Sequence, residues 1–326
     1  MAKIHSIIQI LVYVKVKLGE SLITIVGLGK VGSNIAEHIV LKGLDDLTLI
    51  DIIQGLPQGN ALDLGHMASQ LNIDIKIKGS NDYRDLEGSD IVIVSAGFPR
   101  TADMSRLDLL KKNKAIIKQV SEKILEYAPK SKVIVVTNPL DLMTYLALKT
   151  TGFDRSRVFG VGSELDAARL KYYLSSILKV SNSSISAFVI GEHGDSMTIL
   201  KSQSKVNGVP IKKLLDESQI FSLIEKTKKS GADIISLKGA TTFGVAASTS
   251  SIIESMIRDR KKVHLVSFYL NGEYGLYDVC VGVPAIIGKN SVERVIELEL
   301  DEVEKELFLK SAEAVKESIP HLMSNE

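Results

Sequence analysis

The sequence predicts an α/β protein: a doubly wound parallel sheet followed by a C-terminal α+β domain. Three observations carry this. Short apolar, β-branched runs recur at 21–27, 47–51, 74–80, 90–97 and 132–139. Stretches with helical spacing separate them, the alternation expected of βαβ units. After about residue 145 that rhythm stops, and segments such as "SISAFVIGEHGDS" and "MTILKSQSKVNGVPI" alternate as antiparallel strands do. The expected divisions are an N-terminal extension over 1–20, a first domain over 21–144 and a second over 145–326.

Taken in order, "SLITIVG" (21–27) reads as a buried parallel strand ending in a glycine turn. "SNIAEHIVLKG" (33–43) puts Ile35, Ile39 and Val40 on one helical face, with Gly43 as the stop. "LTLID" (47–51) is a second strand and "QGNALDLGHMAS" (58–69) a second helix. The runs at 74–80, 90–97 and 132–139 continue the sheet, around a long helix over 105–127. In the second half, helices are expected at 163–178, 216–235 and 241–260, strands around 263–287, and a final helix over 290–317.

Of 326 residues, 45% are hydrophobic and 24% charged, enough apolar matter for a buried core. The net charge of +1 offers no electrostatic footprint for nucleic acid or an anionic membrane. A single cysteine, Cys280, excludes an internal disulfide and a cysteine-built metal site, and fits a reducing, cytoplasmic compartment. No metal is expected. The stretch "IIQILVYVKVKL" (7–18) is interrupted by Lys15 and Lys17 and is too short for a membrane span of about 20 apolar residues. It also lacks a signal-peptide cleavage site. It reads as an extra strand or an extension, or as a product of start-site choice.

"GLGKVG" follows the first strand and opens a helix, placing Gly27, Leu28, Gly29, Lys30, Val31 and Gly32 at the turn. The first glycine permits the tight turn, the second lets backbone approach a pyrophosphate, and the third allows close helix–strand packing. The helix N-terminus then offers unpaired N–H groups to phosphates. Asp51 ends the next strand 19 residues after Gly32. Its carboxylate can accept from ribose hydroxyls and would repel the extra phosphate of NADP, so NAD is favoured, with room for some NADP use. This is the Rossmann arrangement.

"GEHGDS" sets His193 in a glycine-flanked turn after an apolar run, and "SELDAARLKYY" places Asp166 and Arg169 three apart on one helical face. Each has a plain reading: a structural histidine, and a surface pair worth about 0.2–0.5 kcal/mol. Together with the glycine turn they match a known arrangement. From Ser21 onward the chain resembles the lactate/malate dehydrogenase family, in "GLGKVG", "LIDI", "SAGFPRTADMSRLDLLKKN", "VTNPLD", "LDAAR", "GEHGDS" and "KGATTFG". Within the family it is most similar to the lactate-dehydrogenase-like malate dehydrogenase branch.

The resemblance implies roles. His193 gives and takes the proton, and Asp166 orients its ring and stabilises the imidazolium. Arg169 grips the substrate's C1 carboxylate bidentately. Arg106 polarises the C2 oxygen from a closing loop. Asn138 meets substrate and nicotinamide, and Thr241 lies near the substrate's side chain. Ala96, Gly97, Asn113 and Val136 line the cofactor. Arg100, six before Arg106, is the discriminator. The family carries glutamine there for lactate and arginine for malate, because an unpaired buried carboxylate costs roughly 3–5 kcal/mol. Pyruvate would leave Arg100 itself unpaired. In place of the usual Lys-Pro-Gly after Arg100 stands "TAD" (101–103), which removes a φ > 0 position and a rigid turn and adds the charge of Asp103.

The resemblance therefore implies reversible hydride transfer between (S)-malate and NAD+, a step of the tricarboxylic acid cycle. The alternatives are an L-lactate or other 2-hydroxy-acid enzyme and, in a different class, a catalytically silent dinucleotide-binding scaffold. It further implies a small dicarboxylate as partner and a homo-oligomer, tetramer or dimer. His66 falls on the helix such enzymes use between subunits, while His264 and Cys280 read as structural.

Overall fold

In the computed structural model, which describes residues 21–99 and 106–323, apolar strands and amphipathic helices alternate from Ser21 onward. The expectations for the 1–20 extension, for Arg100 and for the 101–103 departure lie outside the described residues. Arg106 is described through its backbone alone. The first half runs β1 (Leu22–Val26), α1 (Lys30–Leu41), β2 (Asp46–Ile50), α2 (Leu56–Gln70), β3 (Ile77–Ser80), β4 (Ile91–Val94), α3 (Arg106–Tyr127), β5 (Lys132–Val135), α4 (Leu140–Thr151) and β6 (Val158–Gly160). These six strands are mutually parallel in the order 3-2-1-4-5-6. Helices cover both faces, so Ile23, Ile25, Leu47, Leu49, Ile91, Ile93, Val133 and Ile134 are buried. The chain reverses direction across the sheet between β1 and β4, where such sheets open a crevice at the strands' carboxyl ends.

The second half begins with α5 (Ser163–Leu178). It continues through β7 (Ile185–Ser186), β8 (Val189–Ile190), β9 (Thr198–Ile199), β10 (Lys205–Val206) and β11 (Val209–Pro210). Then come α6 (Glu217–Lys238), α7 (Phe243–Ile257), β12 (Lys262–Asn271), β13 (Tyr277–Gly288), β14 (Ser291–Val295), α8 (Glu302–Lys316) and α9 (Ile319–Met323). The long β12–β13 hairpin and β14 do not form a separate sheet. Through Ser267 opposite Gly160, β12 joins β6 antiparallel and extends the parallel sheet to nine strands. One apolar core follows it, from Ile25 and Ile93 to Val281 and Phe308. A smaller core holds Leu170, Leu174, Ile211 and Leu223 under α5 and α6.

Two expectations are corrected here, and one strand is added. The final helix over 290–317 is a strand at Ser291–Val295 and a helix only from Glu302. Val292 and Val295 join the strand that pairs with β13, and Asp301 with Glu304 forms the capping box that starts α8. The strand over 74–80 shortens to Ile77–Ser80, and β6, three residues long, had no reading of its own.

Candidate active site

The glycine turn is shaped by what cannot fit there. Gly27 has φ +97°, and a Cβ on it would run into the Ala96 backbone. A Cβ on Gly32 would strike the Gly27 carbonyl, so α1 packs against β1 only with glycine at that position. Gly29 faces open space, with no atom within 4 Å of where its side chain would be. It is the N-cap of α1, and no side chain caps the helix. Leu28 is buried, Lys30 exposed and Val31 half-buried. Asp51, at the end of β2, accepts from the Leu28 N–H at 2.6 Å and the Ile53 N–H at 2.9 Å. The turn and the carboxylate are thus one unit. An uncapped helix N-terminus under an open glycine, beside a fixed carboxylate, suits a dinucleotide's pyrophosphate and ribose.

The neighbouring loops are tied by Asn113, fully buried on α3. Its Oδ1 accepts from the Phe98 N–H at 2.7 Å, and its Nδ2 donates to the Asn138 carbonyl at 2.7 Å and to the Phe98 carbonyl at 3.2 Å. The Thr137 hydroxyl donates to the Ala96 carbonyl at 2.8 Å. The segments Ala96–Phe98 and Val136–Asn138 are therefore joined side by side at the carboxyl ends of β4 and β5, beside the crevice. Gly97 and Asn138 are exposed there, and Ala96 and Val136 half-buried. Asn113 is placed to shape this wall from behind.

His193, Asp166 and Arg169 form one network. Asp166 is buried on the first turns of α5, and its Oδ2 lies 2.7 Å from His193 Nδ1. Its Oδ1 accepts from Arg169 Nη1 at 3.0 Å. The turn that carries His193 is held by a two-way backbone pairing of Gly191 with Gly282 in β13. The Glu192 N–H adds a bond to the Ser311 hydroxyl at 2.8 Å. Burial pulls the His193 imidazole downward, but the charge and hydrogen bond of Asp166 outweigh it and hold the ring above the ordinary histidine range. Arg169 Nε is buried without a hydrogen-bond partner, as is Thr241 Oγ1 just before α7. Buried polar atoms left unpaired point to a ligand that completes them.

Sequence reasoning passed over one neighbour, Asp141, the second residue of α4. It is 3% exposed, and it accepts from the His193 backbone N–H at 2.8 Å and from the Ser267 hydroxyl at 2.5 Å. An acidic residue in a first helical turn normally signals only a favourable dipole contact, so its inward aim had no signature.

This arrangement has relatives. Residues 21–160 match the model of the lactate/malate dehydrogenase NAD binding domain, and residues 163–325 match that of the lactate/malate dehydrogenase alpha/beta C-terminal domain. The malate dehydrogenase of Pyrobaculum aerophilum is 46% identical over 300 residues, 91% of this chain and 97% of its own. The solved malate dehydrogenase of Aeropyrum pernix superposes with a TM-score of 0.90 at 44% identity, covering 93% of this chain and all of that one. The Cryptosporidium parvum lactate dehydrogenase, solved with lactic acid and nicotinamide adenine dinucleotide, gives 0.91 at 34% identity over 94% of this chain and 99% of its own.

Proposed function

We propose, from the premise that the chain belongs to the lactate/malate dehydrogenase family, that it is an NAD-dependent malate dehydrogenase. The observation that carries the chemistry is the shared carboxylate. Asp166 binds an imidazole through one oxygen and a guanidinium through the other.

Each side chain then has a task. With Asp166 ionised, His193 Nδ1–H donates to it, and Nε2 is turned to the C2 hydroxyl of malate. Nε2 takes the hydroxyl proton during oxidation and returns it during reduction, a transfer typically worth about 10²–10⁴-fold. Arg169, already oriented by Asp166, receives the C1 carboxylate. Arg106 polarises the C2 oxygen, Asn138 meets substrate and nicotinamide, and Thr241 faces the substrate's side chain. Residues 27–32, Asp51, Ala96, Gly97, Asn113 and Val136 hold or frame the dinucleotide, which when bound supplies the hydride acceptor of malate oxidation. Arg100 faces the second carboxylate.

The test is a panel of oxaloacetate and pyruvate against NADH and NADPH. Faster reduction of oxaloacetate with NADH is expected, and faster pyruvate reduction would overturn the malate reading. Arg100→Gln should lower oxaloacetate kcat/KM by about 150–5000-fold, the scale of one buried charge left unpaired, and raise relative pyruvate turnover. We also propose a homo-oligomer, tetramer or dimer, supported by the apolar side chains of Leu62, Phe221, Leu237 and Phe243, which are more than half exposed in the single chain. Among the described residues no helix is long and apolar enough to cross a membrane. A cytoplasmic place in the tricarboxylic acid cycle completes the proposal, in keeping with a lone, buried, unbridged Cys280.

A further inference from the structure

His193 is held by two carboxylates. Asp166 holds the ring, and Asp141 holds the backbone of the same residue. Asp141 Oδ1 accepts from Ser267 on β12, and that serine sits opposite Gly160 where the two halves of the sheet meet. One buried side chain therefore fixes α4, β12 and the His193 turn to each other. Neither of its bonds comes from a charged donor. From the turn, His193 and Glu192 face it; from β13, the buried Cys280 thiol does, with Lys149 and Asp278 beyond that thiol. From β6, whose residues are Val158, Phe159 and Gly160, no ionisable group faces it.

We propose that Asp141 is a positioning residue for the acid–base histidine, holding the His193 turn in its working place while ionised and loosening its hold when protonated. The proposal rests on the reading of His193 as the acid–base group. Its geometry explains the requirement for charge. A carboxylate accepts both the Ser267 O–H and the His193 N–H with its full charge, whereas in the carboxylic acid the Ser267 bond reverses and the His193 N–H is left a neutral bond of roughly half the strength. Burial raises the Asp141 carboxyl to about 6, against the pull of its two hydrogen bonds. The group therefore changes state within a working pH range.

The direction of turnover separates the two groups. Oxaloacetate reduction needs His193 protonated, so acidification favours the histidine and only a rise in pH removes its contribution. An acidic limb in that direction must come from a group required as an anion. Asp141 supplies one: its hold is present above its pKa and is lost as pH falls through about 6.

The experiment measures kcat and KM for oxaloacetate reduction from pH 5 to 9, with NADH affinity and thermal midpoint, in the unmodified protein, Asp141→Asn and Ser267→Ala. The unmodified protein should show an acidic limb near 6. Asp141→Asn should lower kcat at neutral pH by about 10–100-fold, the scale of a small misplacement. It should leave KM and NADH affinity within about twofold and abolish the limb. Ser267→Ala removes one bond to the anion and should shift the limb to higher pH, which keeps the test open if Asp141→Asn fails to fold. No acidic limb in the unmodified protein, or a limb unmoved by both substitutions, would overturn the proposal. So would lowered thermal stability with unchanged kcat and pH profile. Failure of the acid–base reading shows separately, as turnover retained by a His193 variant.

Discussion

Two carboxylate–imidazole pairs leave the same helix two residues apart, Asp166–His193 and Glu164–His264, with separations of 2.7 and 3.0 Å. Of the two, Glu164–His264 has the fuller set of partners. His264 Nε2 lies 2.8 Å from the Ser255 hydroxyl, and the other Glu164 oxygen accepts the Leu265 N–H at 2.9 Å. Serine, histidine and glutamate in hydrogen-bonded order are the residue types of a nucleophilic triad. Yet Ser255 and His264 have no exposed surface, and Ser255 can also bond the Ser251 carbonyl at 3.1 Å. Both imidazole nitrogens are occupied. That set fastens α5 to α7 and β12. The Asp166–His193 pair leaves work undone: the His193 side chain keeps 15% of its surface, and Arg169 Nε waits unpaired. Residue types alone do not distinguish a reactive site from a structural one; an unmade hydrogen bond beside a solvent-accessible imidazole does.

Substitutions can break this contrast, and the largest effect is expected at the open pair. His193→Asn should cut kcat by about 10²–10⁴-fold while NADH affinity, measured by fluorescence titration, stays within about twofold. Collapse of NADH binding would place His193 with the structural set instead. A smaller loss is expected for Arg169→Lys, which keeps the charge and loses the planar fork. Its kcat/KM for oxaloacetate should fall by about 10–150-fold, as for one charge-assisted hydrogen bond of about 1.5–3 kcal/mol. His264→Leu is the reciprocal test. Urea unfolding should show a loss of about 1–3 kcal/mol from the stranded Glu164 and Ser255 groups, with kcat within about twofold. A kcat loss matching that of His193→Asn would erase the distinction between the two pairs.

The alternation of strands and helices was legible in the first half because β-branched runs and glycine stops are local signals. The Asp166–Arg169 pairing was legible for the same reason, since helical periodicity puts residues three apart on one face. What stayed hidden depends on distance along the chain. His264 meets Glu164 across 100 residues, and Ser267 meets Asp141 across 126. No spacing rule reaches that far. Ser291–Val295 carries Val292 and Val295, which suit a strand, but its strand form is fixed by β13 beside it. The capping box at Asp301 and Glu304 was the local clue to the true helix start.

The join between β6 and β12 also bears on how the chain is made. During synthesis β6 is complete at Gly160, but its antiparallel neighbour begins only at Lys262. At about 5–20 residues per second, the N-terminal sheet waits on the order of 5–20 s with a row of unpaired backbone groups along one side. Exposed strand edges of this kind template aggregation. The short length of β6, three residues, limits that exposure. Once made, the β12–β13 hairpin covers that edge, so the C-terminal half closes the sheet that the N-terminal half leaves open.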